Sequence, residues 1–141
     1  MESERVLLDT GPLVALLADD DAEHQRCVEQ SQLLPKPFLT TWPVLTEAAW
    51  LLRHRPGSIS TILGLVEQGL VQCVDLDFAA ISVMDTLATK YADIGPQLAD
   101  LTLVYLAGRE NTSTVFTLDR RDFSIYRDNA GNSFRLLPPS G

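Results

Sequence analysis

The sequence predicts an α/β sandwich, a parallel sheet covered on both faces by helices. Two observations carry that expectation. Short apolar or β-branched runs alternate along the chain with longer segments that repeat apolar residues at helical spacing. Two of the strand-like runs, RVLL and TVFTL, end on aspartates, Asp9 and Asp119, and in parallel sheets ligands gather beyond the carboxyl ends of the strands.

Taken in order, RVLL at 5–8 reads as a buried strand, and Gly11 and Pro12 punctuate before a short helix over LVALLA, where Pro12 is tolerated in a first turn. AEHQRCVEQSQLL places His24, Cys27, Val28, Ser31 and Leu34 at helical spacing, and Pro35 and Pro37 stop it. PFLTT follows as a brief strand. Thr40 or Thr41 caps a helix through WPVLTEAAWLLRH that ends before Pro56 and Gly57. Residues 59–70 put Ile59, Ile62, Leu63, Val66 and Leu70 on one face, and LVQCVDL after Gly69 is the next strand. Asp77 then caps a helix whose buried face is Phe78, Ile81, Met84, Ala88 and Tyr91. Gly95 and Pro96 open a helix carried by QLADLTLVYLAGRE; STVFTLD is a strand, RRDFSIYRDNAGN a polar loop, and SFRLL the last strand.

The 141 residues have the size of one domain and show neither repeats nor long linkers, so residues 1–141 are expected to form a single unit. With 45% hydrophobic residues and no apolar run of membrane-spanning length, the chain is expected to be soluble and without a membrane span. The N-terminus has glutamates before its apolar stretch rather than a basic leader, which points to the cytoplasm. Cys27 and Cys73 stand isolated and read as small buried hydrophobes. A net charge of −8 argues against holding nucleic acid by general attraction, unless part of that charge is neutralised by cations in the working state.

Two further acids lie where an acid is hard to explain. Glu47 is the only charge in WPVLTEAAWLL, with Val44, Trp50 and Leu51 as helical neighbours, and Asp100 is the only charge in PQLADLTLVYLAG, sharing its face with Val104 and Ala107. Neither has a basic residue three or four positions away. A buried carboxylate must be protonated, meet a basic side chain, or meet a cation. If Asp9, Glu47, Asp100 and Asp119 converge, a divalent cation is the natural neutraliser. An oxygen-only donor set selects Mg²⁺ or Mn²⁺ over zinc, and the chemistry such a site supports is phosphodiester hydrolysis.

LLDTGPLVALL, TEAAWLL, LADLTLVYLA and VFTLDRRDF, in that order over nearly the whole chain, resemble the PIN-domain ribonucleases, especially the VapC-like toxins of toxin–antitoxin pairs. The resemblance implies a PIN fold, a three-layer sandwich with a parallel sheet of about five strands between helices and an acidic pocket at the strand C-termini, and carries the four family acids onto Asp9, Glu47, Asp100 and Asp119. Thr10 matches the small hydroxyl residue after the first acid, and Thr117 the hydroxyl that helps orient the last ones. The chain departs in reading Asp100-Leu101 where many relatives read Asp-Ala, and Asp122 either supports the ligands from behind, substitutes for Asp119 as a ligand, or caps a helix.

Arg53, Arg55, Arg120 and Arg121 are candidates to contact RNA phosphates, while Trp42 and Trp50 read as core or interface rather than a stacking platform. The expected activity is metal-dependent endonucleolytic hydrolysis of single-stranded RNA; the resemblance implies products with 5′-phosphate and 3′-hydroxyl ends, a cognate antitoxin, and a homodimer through the helices of 42–52 and 59–70. Two alternatives remain: a catalytically silent PIN-like module in a larger RNA-processing assembly, which a missing acid would favour, and an aspartyl phosphotransferase or receiver-like domain. The latter would want a D-x-D after the first strand or a late lysine, whereas the chain has Asp9-Thr10-Gly11 and its last lysine is Lys90.

Overall fold

The computed structural model describes residues 4–140; the reading of the N-terminal leader rests partly on residues 1–3, outside the described residues. The chain runs β1 (Val6–Leu8), α1 (Thr10–Leu17), α2 (His24–Leu33), β2 (Phe38–Thr40), α3 (Trp42–Leu51), α4 (Ser58–Glu67), β3 (Val71–Cys73), α5 (Ala80–Lys90), a 3₁₀ turn (Ala92–Ile94), α6 (Leu98–Arg109), β4 (Thr114–Phe116), α7 (Arg120–Phe123) and β5 (Arg135–Leu137). The five strands are all parallel in the order β3-β2-β1-β4-β5. The expected α/β sandwich is therefore present.

Strand alternation divides the core into two layers. Val6, Leu8, Phe38 and Phe116 point to one face, where Leu13, Leu45, Ala48 and Ile62 cover them; Leu7, Leu39 and Val115 point to the other, under Leu103, Leu106, Phe123 and Tyr126. Helix α3 contributes to both layers, through Leu45 and Ala48 to the first and Val44 to the second. It packs against α1 and α6, and so ties together the helices that follow two acid-bearing positions.

Several local expectations are corrected. Helix α1 begins at Thr10, directly after the strand, so Gly11 and Pro12 lie inside its first turn and do not divert the chain. Gly11 lies in close approach to the segment after β4, since a Cβ would lie 3.2 Å from the Leu118 Cβ, closer than ordinary van der Waals contact. Helix α5 starts at Ala80, and Asp77 does not cap it; its carboxylate accepts the Tyr105 hydroxyl instead. Phe78 and Ile81 are 88% and 57% exposed, so the buried side of α5 is set by Ala80 and by Leu87, which packs towards Tyr91. Ile59, Leu63 and Leu70 are exposed while Ile62 is buried, because α4 meets the core along one narrow row. The segment read as a polar loop holds α7 and two wholly buried rings, Phe123 and Tyr126. Cys27 and Cys73 are free thiols, the first buried and the second partly so. Among the described residues no helix is long and apolar enough to cross a membrane.

Candidate active site

Asp9 leaves β1 at the C-terminal edge of the sheet, where its N–H donates to the Phe116 carbonyl at 2.9 Å and so adds a rung between β1 and β4. It occupies the N-cap position of α1, yet its carboxylate makes no capping hydrogen bond. Instead Asp9 Oδ2 accepts the Thr117 hydroxyl at 2.7 Å, and Thr117 Oγ1 in turn accepts the Asp119 N–H at 2.9 Å. One threonine thus fixes the first acid and the backbone of the last.

Asp119 follows β4 and caps α7, its Oδ1 accepting the Asp122 N–H at 3.1 Å. The cap is Asp119, then, and Asp122 sits in the first turn of the helix it starts. Asp100 enters from the first turn of α6. That helix is held to the exit of β2 by Thr41 and Thr102, whose buried hydroxyls lie 2.7 Å apart. One carboxylate oxygen from each of Asp100, Asp119 and Asp122 lies within 4.8 Å of the others. Asp9 and Glu47 are outside that group: the Asp9 carboxylate acts electrostatically on Asp100, and Glu47, with Asp119, acts on Asp9. Glu47 is only half-buried, with Oε2 accepting the Thr10 hydroxyl at 3.2 Å; Trp50 and Leu51, expected beside it in the core, are exposed.

Asp9, Asp100 and Asp122 hold their protons more tightly than free carboxylates do. Burial raises the Asp9 pKa to about 6, with Asp119 and Glu47 adding to the rise and the Thr117 bond opposing it. Burial raises Asp100 to about 7, with repulsion from Asp9, Asp119 and Asp122 adding to it and the bond from Tyr126 opposing it. Asp122 is raised as well, by burial and then by Asp119. No Lys or Arg among the described residues forms an ion pair with any of these acids. The donor set is oxygen only and carries excess negative charge. Such a set fits a hard divalent cation such as Mg²⁺ or Mn²⁺, and it would suit zinc poorly.

The candidate RNA contacts divide. Arg55 is committed to Asp19 and Asp20 at 2.8 and 2.9 Å. Arg53 stacks its guanidinium 3.9 Å from the centre of the Trp50 ring. Arg120 donates to the Pro138 carbonyl at 2.7 Å, and Arg121 is exposed beside Asp122. Trp42 and Trp50 are 53% and 62% exposed. They lie outside the core because Val44, Leu45 and Ala48 form the buried side of α3.

The sequence reading missed Tyr126, which is wholly buried and donates its hydroxyl to Asp100 Oδ2 at 3.0 Å. A signal existed in DFSIY, where Phe123 and Tyr126 stand at the i, i+3 spacing of a single apolar face.

A parallel sheet with acids gathered past the ends of β1 and β4 defines a PIN-type acidic centre. No protein-family model matches the chain. The chain is 30% identical to Ribonuclease VapC26 of Mycobacterium tuberculosis (strain ATCC 25618 / H37Rv) over 140 residues, covering 94% of this chain and 100% of that protein. It belongs to the VapC ribonuclease family. The fold is also that of the crystal structure of M. tuberculosis VapC20, described as a Sarcin-Ricin loop cleaving toxin, with a TM-score of 0.75, 16% identity, and coverage of 82% of this chain and 91% of that one.

Proposed function

We propose that the chain, as one PIN-like unit, is the endoribonuclease toxin of a toxin–antitoxin pair and hydrolyses single-stranded or loop RNA with the help of Mg²⁺ or Mn²⁺. The observation that carries this reading is the group of Asp100, Asp119 and Asp122 beside a buried Asp9, with no cationic partner among the described residues. Asp9, Asp100 and Asp119 would hold the cation, Asp122 would complete or replace a ligand, and Glu47 would act from the rim. A divalent ion bound there makes a water more acidic and offsets charge on the phosphate.

The chain's own residues prepare for that chemistry. Thr117 keeps Asp9 turned towards Asp119, and the cap on α7 keeps Asp119 in a single orientation. Thr10 restrains Glu47 at the rim. Arg121, which is exposed, and Arg53 on its Trp50 platform would contact phosphates of a bound strand. The test is cleavage of a mixed RNA pool by purified protein in Mg²⁺, Mn²⁺ or EDTA, with analysis of the product ends. Metal-dependent cuts with 5′-phosphate and 3′-hydroxyl ends are expected; cleavage that persists in EDTA, or that leaves 2′,3′-cyclic phosphates, would refute the reading.

The same reading places the protein in the cytoplasm with a cognate antitoxin, and makes it a homodimer. Support for the dimer is the exposed apolar strip of Trp42, Trp50, Leu51, Ile59 and Leu63 on α3 and α4, which is costly to leave in water. Ile59→Lys together with Leu63→Lys is expected to convert the dimer to monomer in sedimentation equilibrium with unchanged circular dichroism. A wild-type protein that sediments as a monomer would remove the dimer from the account.

A further inference from the structure

We infer that Tyr126 is a positioning residue that fixes the Asp100 carboxylate, reserving one of its oxygens for the cation. The inference rests on the metal-site reading above and concerns a side chain that reading does not require.

Tyr126 is wholly buried and sits edge-on to two rings, with Tyr91 at 5.0 Å and Phe123 at 5.2 Å between ring centres. Rings packed in this way leave the phenol one direction, and it ends on Asp100 Oδ2 at 3.0 Å. Asp100 Oδ1 has no hydrogen-bond partner among the described residues, and no buried side-chain oxygen or nitrogen there lacks one. Oδ1 is therefore not sealed from solvent. The phenol occupies Oδ2 and holds the carboxylate's rotation, which leaves Oδ1 free for a cation in a residue that has one carboxylate oxygen within 4.8 Å of Asp119 and Asp122. The arrangement repeats at Asp9, where Thr117 takes Oδ2.

Each of the two buried acids thus has one hydroxyl donor on one oxygen. The donor to Asp100 also comes from the segment that supplies the last acids, for the Tyr126 N–H donates to the Asp122 carbonyl at 3.1 Å. A movement of α7 would therefore shift Asp122 and the orientation of Asp100 together. Partners that orient a ligand in this way commonly change metal affinity by about 10- to 100-fold when removed.

The test compares Tyr126→Phe with Tyr91→Phe and Asp100→Asn by calorimetric titration of the metal-free proteins with Mn²⁺, together with kcat and KM on one RNA and thermal unfolding in EDTA. Phe preserves the ring packing at 126. Tyr91→Phe removes a hydroxyl that accepts the Arg127 N–H at 3.0 Å in the same aromatic cluster, without touching Asp100. Tyr126→Phe is expected to weaken Mn²⁺ binding about 10-fold or more and to lower kcat while KM stays; Tyr91→Phe should leave both unchanged.

Wild-type Mn²⁺ affinity and kcat in Tyr126→Phe, with both lost in Asp100→Asn, would overturn the positioning role and leave the metal site standing. Equal weakening in the two Tyr variants would overturn it as an effect of packing. A wild-type protein that binds no Mn²⁺, or an Asp100→Asn variant that binds it normally, would instead bring down the metal-site reading and this inference with it.

Discussion

Asp100→Asn is expected to lower the rate of RNA cleavage by about 10²-fold or more and, in the same protein, to raise the unfolding midpoint of the metal-free form. Both effects have one origin. The Asp100 carboxylate is buried, it is pushed to about 7 by burial and by repulsion from Asp9, Asp119 and Asp122, and no basic side chain among the described residues pairs with it. An amide keeps the shape and still accepts the Tyr126 hydroxyl, but carries no charge either to repel its neighbours or to bind a cation. Above the pKa of Asp100 the wild-type carboxylate must be ionised in a buried place beside other acids, and the amide removes both the burial cost of that charge and the repulsion.

Asp119→Asn and Asp122→Asn are expected to follow Asp100→Asn in activity, since the three lie within 4.8 Å of one another. Glu47→Gln, half-buried and outside that group, should cost less. Single-turnover cleavage and thermal unfolding in EDTA measure the two effects. An Asp100→Asn protein that cleaves normally, or one that is both inactive and less stable than wild type without metal, would contradict this account.

Stability of the metal-free protein is expected to fall as pH rises from about 4 to about 8. Asp9 is held at about 6 and Asp100 at about 7, both above the ordinary aspartate value of 3.8, so across this window the folded chain holds protons that the unfolded chain has released. Unfolding then releases protons and becomes easier as pH rises. The stabilisation is complete below the unfolded value and is gone once pH passes the folded ones. The groups responsible face one another: Asp9 meets Asp119, Glu47 and Thr117, and Asp100 meets Asp9, Asp119, Asp122 and Tyr126.

A bound divalent cation replaces those protons, so Mg²⁺ should flatten the slope and its affinity should increase over the same pH range. Urea unfolding at several pH values, with EDTA or with saturating Mg²⁺, reads both trends. The slope should be shallower in a protein carrying Asp9→Asn and Asp100→Asn. A metal-free stability that climbs between pH 5 and pH 8, or a slope unchanged in the double variant, would contradict the assignment.

What the sequence disclosed follows from where its signals are local. Strand alternation in Val6 to Leu8 and in Thr114 to Phe116 is a two-residue pattern, and the sheet uses it directly, sending Leu7 and Val115 to one layer and Leu8 and Phe116 to the other. Asp9 and Asp119 were visible because an acid at the end of an apolar run is out of place unless something uses it. Asp100 was visible as a lone charge in an apolar helix, and it is indeed buried.

The same argument overreached for Glu47. A helix has a rim as well as a buried face, and spacing alone does not say where one gives way to the other; Trp42 and Trp50 on the same helix are exposed for that reason. Phe78 lies before α5, which begins at Ala80, and Ile81 falls on the outer side of a helix that meets the core through Ala80 and Leu87. The choice between Asp119 and Asp122 was not legible, since it turns on a four-residue helix too short to leave a periodic signal, and in the structure both join Asp100. Tyr126 escaped for a related reason. Its surroundings in RRDFSIYRDNAGN are polar in sequence, while its partners Tyr91 and Asp100 come from α5's end and from α6.

The measurement that tests the central claim most directly is the anomalous scattering of Mn²⁺ in crystals of the wild-type protein. The account predicts a peak among the carboxylates of Asp9, Asp100 and Asp119, reached also by Asp122. Anomalous density elsewhere on the molecule, with the acid cluster left without a cation at a concentration of Mn²⁺ that supports RNA cleavage, would contradict it.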